Sequence, residues 1–90
     1  MGAKTPDSVV VENFGTKTMY KCIFSTNDID DGDTYASAIL DAVAYWCNGT
    51  DDPTQTKEGI DVGYVATTGA FTFYTGEDNR TGELYILVNQ

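Results

Sequence analysis

The sequence predicts an all-β fold, a small antiparallel β-sandwich or barrel with an extended N-terminal arm. Three observations predict it. Apolar and polar residues alternate over several short stretches, as they do in strands with one buried face. Turn-forming residues, mostly glycine, asparagine and aspartate, separate these stretches at short intervals. A chain of 90 residues that is 41% hydrophobic and 12% aromatic can build the core of one globular domain.

The first two predicted strands form a hairpin. Residues 8–14, SVVVENF, are rich in β-branched side chains, which favour strands. Residues 17–24, KTMYKCIF, alternate between two faces. One face carries Tyr20, Cys22 and Phe24, and the other carries Lys17, Met19, Lys21 and Ile23. Gly15 and Thr16 lie between the two stretches and predict the turn.

The N-terminal segment is predicted to be an extended arm. Pro6 disfavours a helical conformation at Thr5, so residues 1–7 are expected to be extended. We therefore divide the chain into two parts. Residues 1–16 form the N-terminal arm and first strand, and residues 17–90 form a single β-rich domain.

One segment is compatible with two structures. As a helix over about residues 34–47, it would turn one apolar stripe toward the core. That stripe consists of Ile39, Leu40, Val43, Trp46 and Cys47. As a strand, the segment would place alternate residues on opposite faces. The alanines favour the helix, whereas the stretch VAYWC favours the strand. The alternative to the all-β fold is therefore α+β, with one helix in this segment.

The C-terminal part of the chain has the clearest strand pattern. After a polar loop over residues 48–59, residues 60–66 and 70–74 alternate around the turn TTG, which predicts a β-hairpin. Residues 83–89 are the last predicted strand. It carries Leu84, Ile86 and Val88 on one face, and Tyr85 and Leu87 on the other. An apolar strand of this kind is either central in a sandwich or covered by another subunit.

Acidic residues dominate the charge, which is −9. Such a surface repels phosphate and argues against binding to nucleic acid. The stretch NDIDDGDTYAS, residues 27–37, holds four aspartates that give a loose candidate for a cation site: Asp28, Asp30, Asp31 and Asp33. An EF-hand loop does not fit, because Ile29 and Ala38 occupy positions that need oxygen ligands. The simpler interpretation is a polar turn with Gly32 at its bend, whose carboxylates stay in solvent.

The residues that most enzymes need are missing from the sequence. The chain has no histidine, so catalytic triads and histidine-based acid–base catalysis are excluded. It has neither a GxSxG sequence nor a phosphate-binding glycine loop. Cys22 and Cys47 are expected to be reduced, partly buried thiols, and without histidine they cannot complete a structural zinc site. No apolar run is long enough to span a bilayer. We therefore expect no enzyme, no cofactor and no membrane partner.

Three stretches carry a resemblance: YKCIFSTNDIDDGDTYASAILDAVAYW, GIDVGYVATTGAFTFYTG and GELYILV. In turn and strand spacing, over about residues 18–89, they resemble small virion structural proteins of tailed bacteriophages. The resemblance implies strand rather than helix from Ile39 onward. It implies a head decoration (cement) protein of the virion, assembled in the host cytoplasm with copies of itself and with the major capsid protein or another virion protein. We then expect a homo-oligomer, a trimer as the first guess, with the arm of residues 1–16 crossing a neighbouring subunit.

The residues also favour an assembly component, because the chain is short, lacks catalytic groups and has a last strand that is apolar on both faces. The expected interface residues are apolar or aromatic: Val9, Val10, Val11, Phe14, Tyr85 and Leu87. One alternative function is a carbohydrate- or surface-binding module. Its stacking platform would be Tyr35, Tyr45, Trp46 and Tyr74. Another alternative is an acidic inhibitor or effector that mimics nucleic acid.

Overall fold

The computed structural model describes residues 2–50, 60–76 and 78–90, which form seven strands and no helix. The strands are β1 (Ser8–Phe14), β2 (Lys17–Ile29), β3 (Thr34–Ala36), β4 (Ala44–Gly49), β5 (Asp61–Val65), β6 (Ala70–Tyr74) and β7 (Arg80–Asn89). The first sheet has the order β1-β2-β7-β4 and the second has the order β3-β6-β5. The all-β sandwich is confirmed, whereas the barrel and the helix at about residues 34–47 are wrong. The polar loop expected at residues 48–59 lies mostly outside the described residues.

Both predicted hairpins are present. In the first, Phe14 lies opposite Lys17, so that only Gly15 and Thr16 form the turn. Gly15 has a φ of 61°, the left-handed conformation that a type II′ turn requires at its first central position. In the second hairpin, residues 66–69 form the turn between β5 and β6.

The segment between β3 and β4 shows why the helix does not form. Ala38 and Asp41 have φ angles of 59° and 53°, which a right-handed helix does not contain. The Tyr64 hydroxyl accepts a hydrogen bond from the Ala42 N–H at 3.1 Å and donates one to the Ile39 carbonyl at 2.6 Å. Backbone groups that a helix would pair internally are thus used by another strand. The expected strand from Ile39 onward is correct for β4 and wrong for the residues before it.

β7 is a central strand of the first sheet, between β2 and β4. Leu84 and Ile86 are fully buried on the face toward the second sheet, whereas Tyr85 and Leu87 are half-buried on the opposite face. The prediction that the last strand is central in a sandwich is therefore confirmed. The strand begins at Arg80, earlier than expected.

The hydrophobic core lies between the two sheets. Its buried residues are Cys22, Phe24, Ile29, Ile60, Phe71, Phe73, Leu84 and Ile86. The Phe24 ring packs edge-on against Phe73, with ring centroids 5.3 Å apart, and against Tyr35 at 5.7 Å. Each such aromatic pair contributes about 1 kcal/mol beyond the burial of its area. The core therefore joins β2 of the first sheet to β3 and β6 of the second.

The N-terminal arm lies along β3 of its own chain. The Lys4 N–H donates a hydrogen bond to the Thr34 carbonyl at 2.7 Å, and the Thr34 N–H donates one to the Gly2 carbonyl at 2.9 Å. Ala3 and Thr34 form a parallel bridge. The arm thus covers the β3 edge of the second sheet before it continues into β1 of the first. Within the expected arm, residues 1–16, residues 2–4 thus contact their own chain, and β1 is exposed.

Candidate interaction surface

β1 is the outermost strand of the first sheet and is exposed along its whole length. It pairs with β2 on one side, and none of its seven residues is buried. Val11 and Phe14 are each 53% exposed. Single exposed apolar residues are ordinary on a protein surface, but a run of valines on an open sheet edge invites pairing with another chain. β1 is therefore the first candidate for contact with another molecule.

Alternation divides the predicted interface residues of β1 between its two faces. Val9 lies opposite the buried Cys22, so Val9 and Val11 are on the face toward the second sheet. Val10 and Phe14 are on the opposite face. All four side chains remain exposed, which shows that the second sheet does not extend far enough to cover β1.

The first sheet has an outer face, the side that points away from the second sheet. The strand register places one row of residues across its centre, Val10, Lys21, Tyr85 and Trp46, beside a second row, Glu12, Met19, Leu87 and Ala44. The two at the ends of the first row, Val10 and Trp46, are each 41% exposed. Of the predicted interface residues, four belong to the outer face: Val10, Phe14, Tyr85 and Leu87. The outer face is thus an apolar patch that the described part of the chain leaves partly open to solvent.

A stacked aromatic pair forms one end of the outer face. Trp46 and Tyr85 lie opposite each other in the β4–β7 register, with ring centroids 5.1 Å apart and planes inclined by 9°. The Tyr85 hydroxyl donates a hydrogen bond to Glu83 Oε1 at 2.8 Å, and this bond to a carboxylate raises the pKa of Tyr85. Glu83 also forms an ion pair with Lys21 Nζ at 3.7 Å. Glu83 therefore holds the Tyr85 hydroxyl in place and, through Lys21, links β7 to β2.

Sequence reasoning missed Met19 and Trp46 as members of this surface. The alternation of β2 already separated Met19 from the core residues, so its membership could have been inferred. Trp46 could not be assigned, because its partner Tyr85 is known only once β4 is placed beside β7.

The aromatic residues predicted as a sugar-stacking platform do not share a surface. Tyr35 is half-buried and packs against the core. Tyr45 faces the second sheet, with its ring centroid 5.0 Å from that of Tyr64. Trp46 lies on the outer face of the first sheet, and Tyr74 is exposed on the second sheet. The predicted platform is therefore wrong.

The acidic turn is built into the fold and does not simply stay in solvent. Asp33 is only 1% exposed. Its Oδ1 accepts a hydrogen bond from the Gly2 N–H and its Oδ2 accepts one from the Asp30 N–H, both at 2.7 Å. Lys4 Nζ lies 3.7 Å from Oδ2. The expectation that all these carboxylates are solvated is wrong for Asp33, which anchors the N-terminal arm.

Two other aspartates of this turn bind the backbone of the segment before β7. Asp31 Oδ1 accepts hydrogen bonds from the N–H groups of Thr75 and Gly76, at 3.0 and 3.3 Å. Asp30 Oδ1 accepts one from the Asn79 N–H at 2.9 Å. The side chain of Asp28, the fourth candidate ligand, lies outside the described residues. Among the described residues, no group of three or more acidic or cysteine side chains is arranged to hold a metal ion.

The two cysteines flank the same residue of the central strand. Cys22 on β2 and Cys47 on β4 both lie opposite Leu84, so they are two strand spacings, roughly 10 Å, apart. A disulfide needs Cα atoms within about 7 Å, so the expected pair of free thiols fits the register. Burial raises the pKa of Cys22, whose Sγ lies 3.9 Å from the Tyr35 hydroxyl. Burial, and secondarily Cys22, raise the pKa of Tyr35.

A shallow groove of about 390 Å³ lies between β4 and β5. Its described lining includes Trp46, Cys47 and Asp61. Asp61 is an exposed carboxylate at the start of β5, and Cys47 is a thiol on β4. Glycoside hydrolases use two carboxylates on opposite sides of a groove. Among the described residues, no second carboxylate lines this groove beside Asp61.

Comparisons of the chain with protein families, with curated proteins and with solved structures found no match. No helix capable of crossing a membrane occurs in the part of the chain that the structure describes. The fold defines a class of architecture, a two-sheet antiparallel sandwich with an exposed edge strand, β1, and a partly exposed apolar outer face.

Proposed function

We propose that this chain is a non-enzymatic structural subunit that acts by assembling with other protein chains. In its narrower form, the proposal is a cement or decoration subunit of a tailed-bacteriophage capsid, which binds copies of itself and the major capsid protein. The observation that carries the assembly role is β1, an edge strand whose seven residues are all exposed.

An edge strand of a stable monomer is normally protected by proline, by lysine, by a bulge or by a covering segment. β1 has the sequence SVVVENF, in which Glu12 is the one charged residue. The β3 edge, by contrast, is covered by the arm, and the β4 edge is approached by Ile60, which bridges to Cys47. β1 is therefore an edge that the described part of the chain leaves exposed along its whole length, whereas β5, the remaining outermost strand, is half-buried at three of its five residues.

The turn of the first hairpin determines which backbone groups of β1 are free to pair. In a two-residue hairpin, the residues flanking the turn form a hydrogen-bonded pair, here Phe14 and Lys17. Because the pattern alternates, Val9, Val11 and Asn13 direct their N–H and C=O groups away from β2. A strand from a neighbouring subunit would satisfy these groups by extending the sheet.

The narrower, virion form of the proposal is supported by the sequence resemblance over about residues 18–89. The small size and the acidity of the chain, with a net charge of −9, are compatible with that role. The location that follows is the virion, reached by assembly in the host cytoplasm.

A proline in β1 tests the proposal, because it removes a backbone N–H that a neighbouring strand would bind. Val11→Pro removes an outward N–H without removing a β1–β2 hydrogen bond, and edge strands tolerate proline at such positions. Val11→Ala keeps the N–H and is the matched control. We expect wild type and Val11→Ala to co-sediment with shells of the cognate major capsid protein, and Val11→Pro to bind at least about tenfold more weakly.

Circular dichroism must show that Val11→Pro remains folded. Equal binding by all three proteins would reject β1 as the contact. A wild-type chain that stays monomeric and does not bind shells would reject the proposed function.

The two alternative functions have less support. A carbohydrate-binding module would have to rely on the stacked Trp46 and Tyr85 alone, because the wider aromatic platform is not assembled. A nucleic-acid mimic needs a surface of free carboxylates, yet Asp30, Asp31 and Asp33 accept hydrogen bonds from the chain's own backbone. Fluorescence titration with glycans and a pull-down from host lysate test these alternatives.

A further inference from the structure

We infer that the outer face of the first sheet binds a second copy of this chain, with the two sheets packed face to face about a two-fold axis. This inference deepens the proposed function, and rests on it, by naming the partner of one particular surface. It involves the side chains of the outer face, whereas the edge contact proposed above involves the backbone of β1.

The outer face has the anatomy of a protein–protein contact. Its centre is aromatic and aliphatic, with the stacked Trp46 and Tyr85 beside Leu87 and Met19. Tryptophan, tyrosine and methionine are enriched in the centres of interfaces. Lys21 lies within this centre, between Val10 and Tyr85, and the other polar residues lie around it: Ser8, Glu12, Lys17, Asn48, Glu83 and Asn89. An apolar centre within a polar rim excludes water from the contacts that matter most.

The charges of the outer face identify the partner. Lys17 and Lys21 lie on it, and Glu12 and Glu83 balance them. The entire net charge of −9 therefore falls on the rest of the chain. Contact between the acidic surfaces of two copies would bring like charges together, whereas two outer faces meet with equal numbers of positive and negative side chains. A basic partner would dock on the acidic surfaces instead.

The size of the face is sufficient for a modest dimer. Four strands at their usual spacing, each with about seven residues, cover roughly 20 Å by 23 Å. Two such faces bury on the order of 1,000 Å² in total, the lower limit for a specific interface. Desolvation of the Lys21–Glu83 ion pair reduces the gain. A dissociation constant on the order of 10 μM is expected.

The strand order also gives the two-fold arrangement a definite pairing. β1 and β4 are the two outermost strands of the first sheet. A two-fold axis parallel to the strands brings β1 of one copy over β4 of the other, so that Val10 faces Trp46 of the second copy. The same rotation brings Met19 over Leu87 of the second copy. Sheets packed in this way lie about 10 Å apart with strands inclined by about 30°.

The single tryptophan makes the inference testable without a label, because Trp46 lies in the proposed contact. Sedimentation equilibrium of the full chain over a range of about 1 to 200 μM should show a monomer–dimer transition around the expected constant. Tryptophan emission should shift to longer wavelength on dilution over the same range, as Trp46 returns to water.

Two variants on the outer face and one control complete the design. Val10→Lys and Trp46→Arg should each raise the dimer dissociation constant at least about tenfold. Tyr74→Arg changes an aromatic residue of the second sheet that is more exposed than Trp46, and it should leave the constant unchanged. Because Val10 lies on an exposed edge strand, Val10→Lys tests the contact even if Trp46→Arg fails to fold.

A wild-type chain that stays monomeric at all concentrations would overturn this inference, as would a dimer that survives Val10→Lys. The trimer expected from the sequence would also overturn it. Binding to capsid shells that depends on Val11 but not on Val10 would retain the proposed function while rejecting the two-fold dimer.

Discussion

β1 and β7 each contain an apolar run, but the two strands have opposite environments. Both are apolar strands, SVVVENF and RTGELYILVN, and both belong to the first sheet. β7 pairs on both sides and buries alternate residues, whereas β1 pairs on one side and buries none. Hydrophobicity therefore identifies a strand without showing what covers it. β7 is covered by its own chain, whereas the described residues leave β1 exposed.

The widths of the two sheets explain this difference. The second sheet has three strands of three to five residues, and the first sheet has four strands of six to thirteen. A narrower layer cannot cover a wider one, so an outermost strand of the first sheet stays exposed on both faces. Four predictions test whether β1 and β7 differ in this way.

The largest loss of stability is expected when a buried side chain of β7 is truncated, because truncation leaves a cavity in the core. Ile86 is fully buried, so Ile86→Ala should lower the free energy of unfolding by about 2–5 kcal/mol. Val9→Ala in β1 should cost less than about 1 kcal/mol, because Val9 is already exposed. Urea unfolding followed by circular dichroism measures both. Equal losses at the two positions would show that β1 is buried after all.

A smaller loss of stability is expected when Asp33, which anchors the N-terminal arm, is changed. Asp33→Asn removes the charge of a buried carboxylate that accepts two backbone hydrogen bonds and contacts Lys4. It should cost about 1–3 kcal/mol in urea unfolding. Asp78→Asn, at an exposed position, is the control and should stay within about 0.5 kcal/mol of wild type. If both variants match wild type, the arm does not depend on Asp33.

Alkaline pH should lower the stability of the fold through two groups of its core, the Cys22 thiol on β2 and the Tyr35 hydroxyl on β3. The pKa values of Cys22 and Tyr35 are raised from their ordinary 9.0 and 10.0, chiefly by burial. Folding thus favours their protonated forms, and this stability is complete below the ordinary values and lost as pH rises through the raised ones. We expect the thermal midpoint to fall above about pH 9.

Replacing both titrating groups tests that cause. The double variant Cys22→Ala, Tyr35→Phe should have a flatter stability profile above about pH 9 than wild type, although truncation of the buried Cys22 should lower its stability at neutral pH. An unchanged profile would assign the alkaline loss to other groups.

The smallest effect on folding is expected from Val11→Thr. Threonine keeps the β-branched shape, and Val11 is 53% exposed, so stability should stay within about 0.5 kcal/mol of wild type. Light scattering at high concentration should show less association, because the exposed strand becomes more polar. A large loss of stability would contradict the view that β1 is dispensable to the core of its own chain.

Local patterns predicted the elements whose structure depends on neighbours in sequence. The Gly15 turn, the second hairpin and the central position of the last strand all followed from alternation and turn residues. The division of Val9 from Val10 was implicit in the same alternation. These features need no information about distant residues.

The remaining features depend on residues far away in the chain. The segment after β3 is irregular because Tyr64 binds its backbone, and Asp33 is buried because it accepts a hydrogen bond from Gly2. The outer face became visible only when β4 was placed beside β7. Local propensity cannot predict such contacts, since each one is formed between separate elements of the finished fold.

The path of the arm has a mechanical consequence for any assembly that grips β1. Residues 2–4 are pinned to β3 of one layer, and the same segment continues directly into β1 of the other. A neighbour pulling on β1 therefore strains both layers together instead of peeling off a single hairpin. Force applied to β1 is therefore transmitted along the chain to residues 2–4 and to the buried Asp33 carboxylate that binds them.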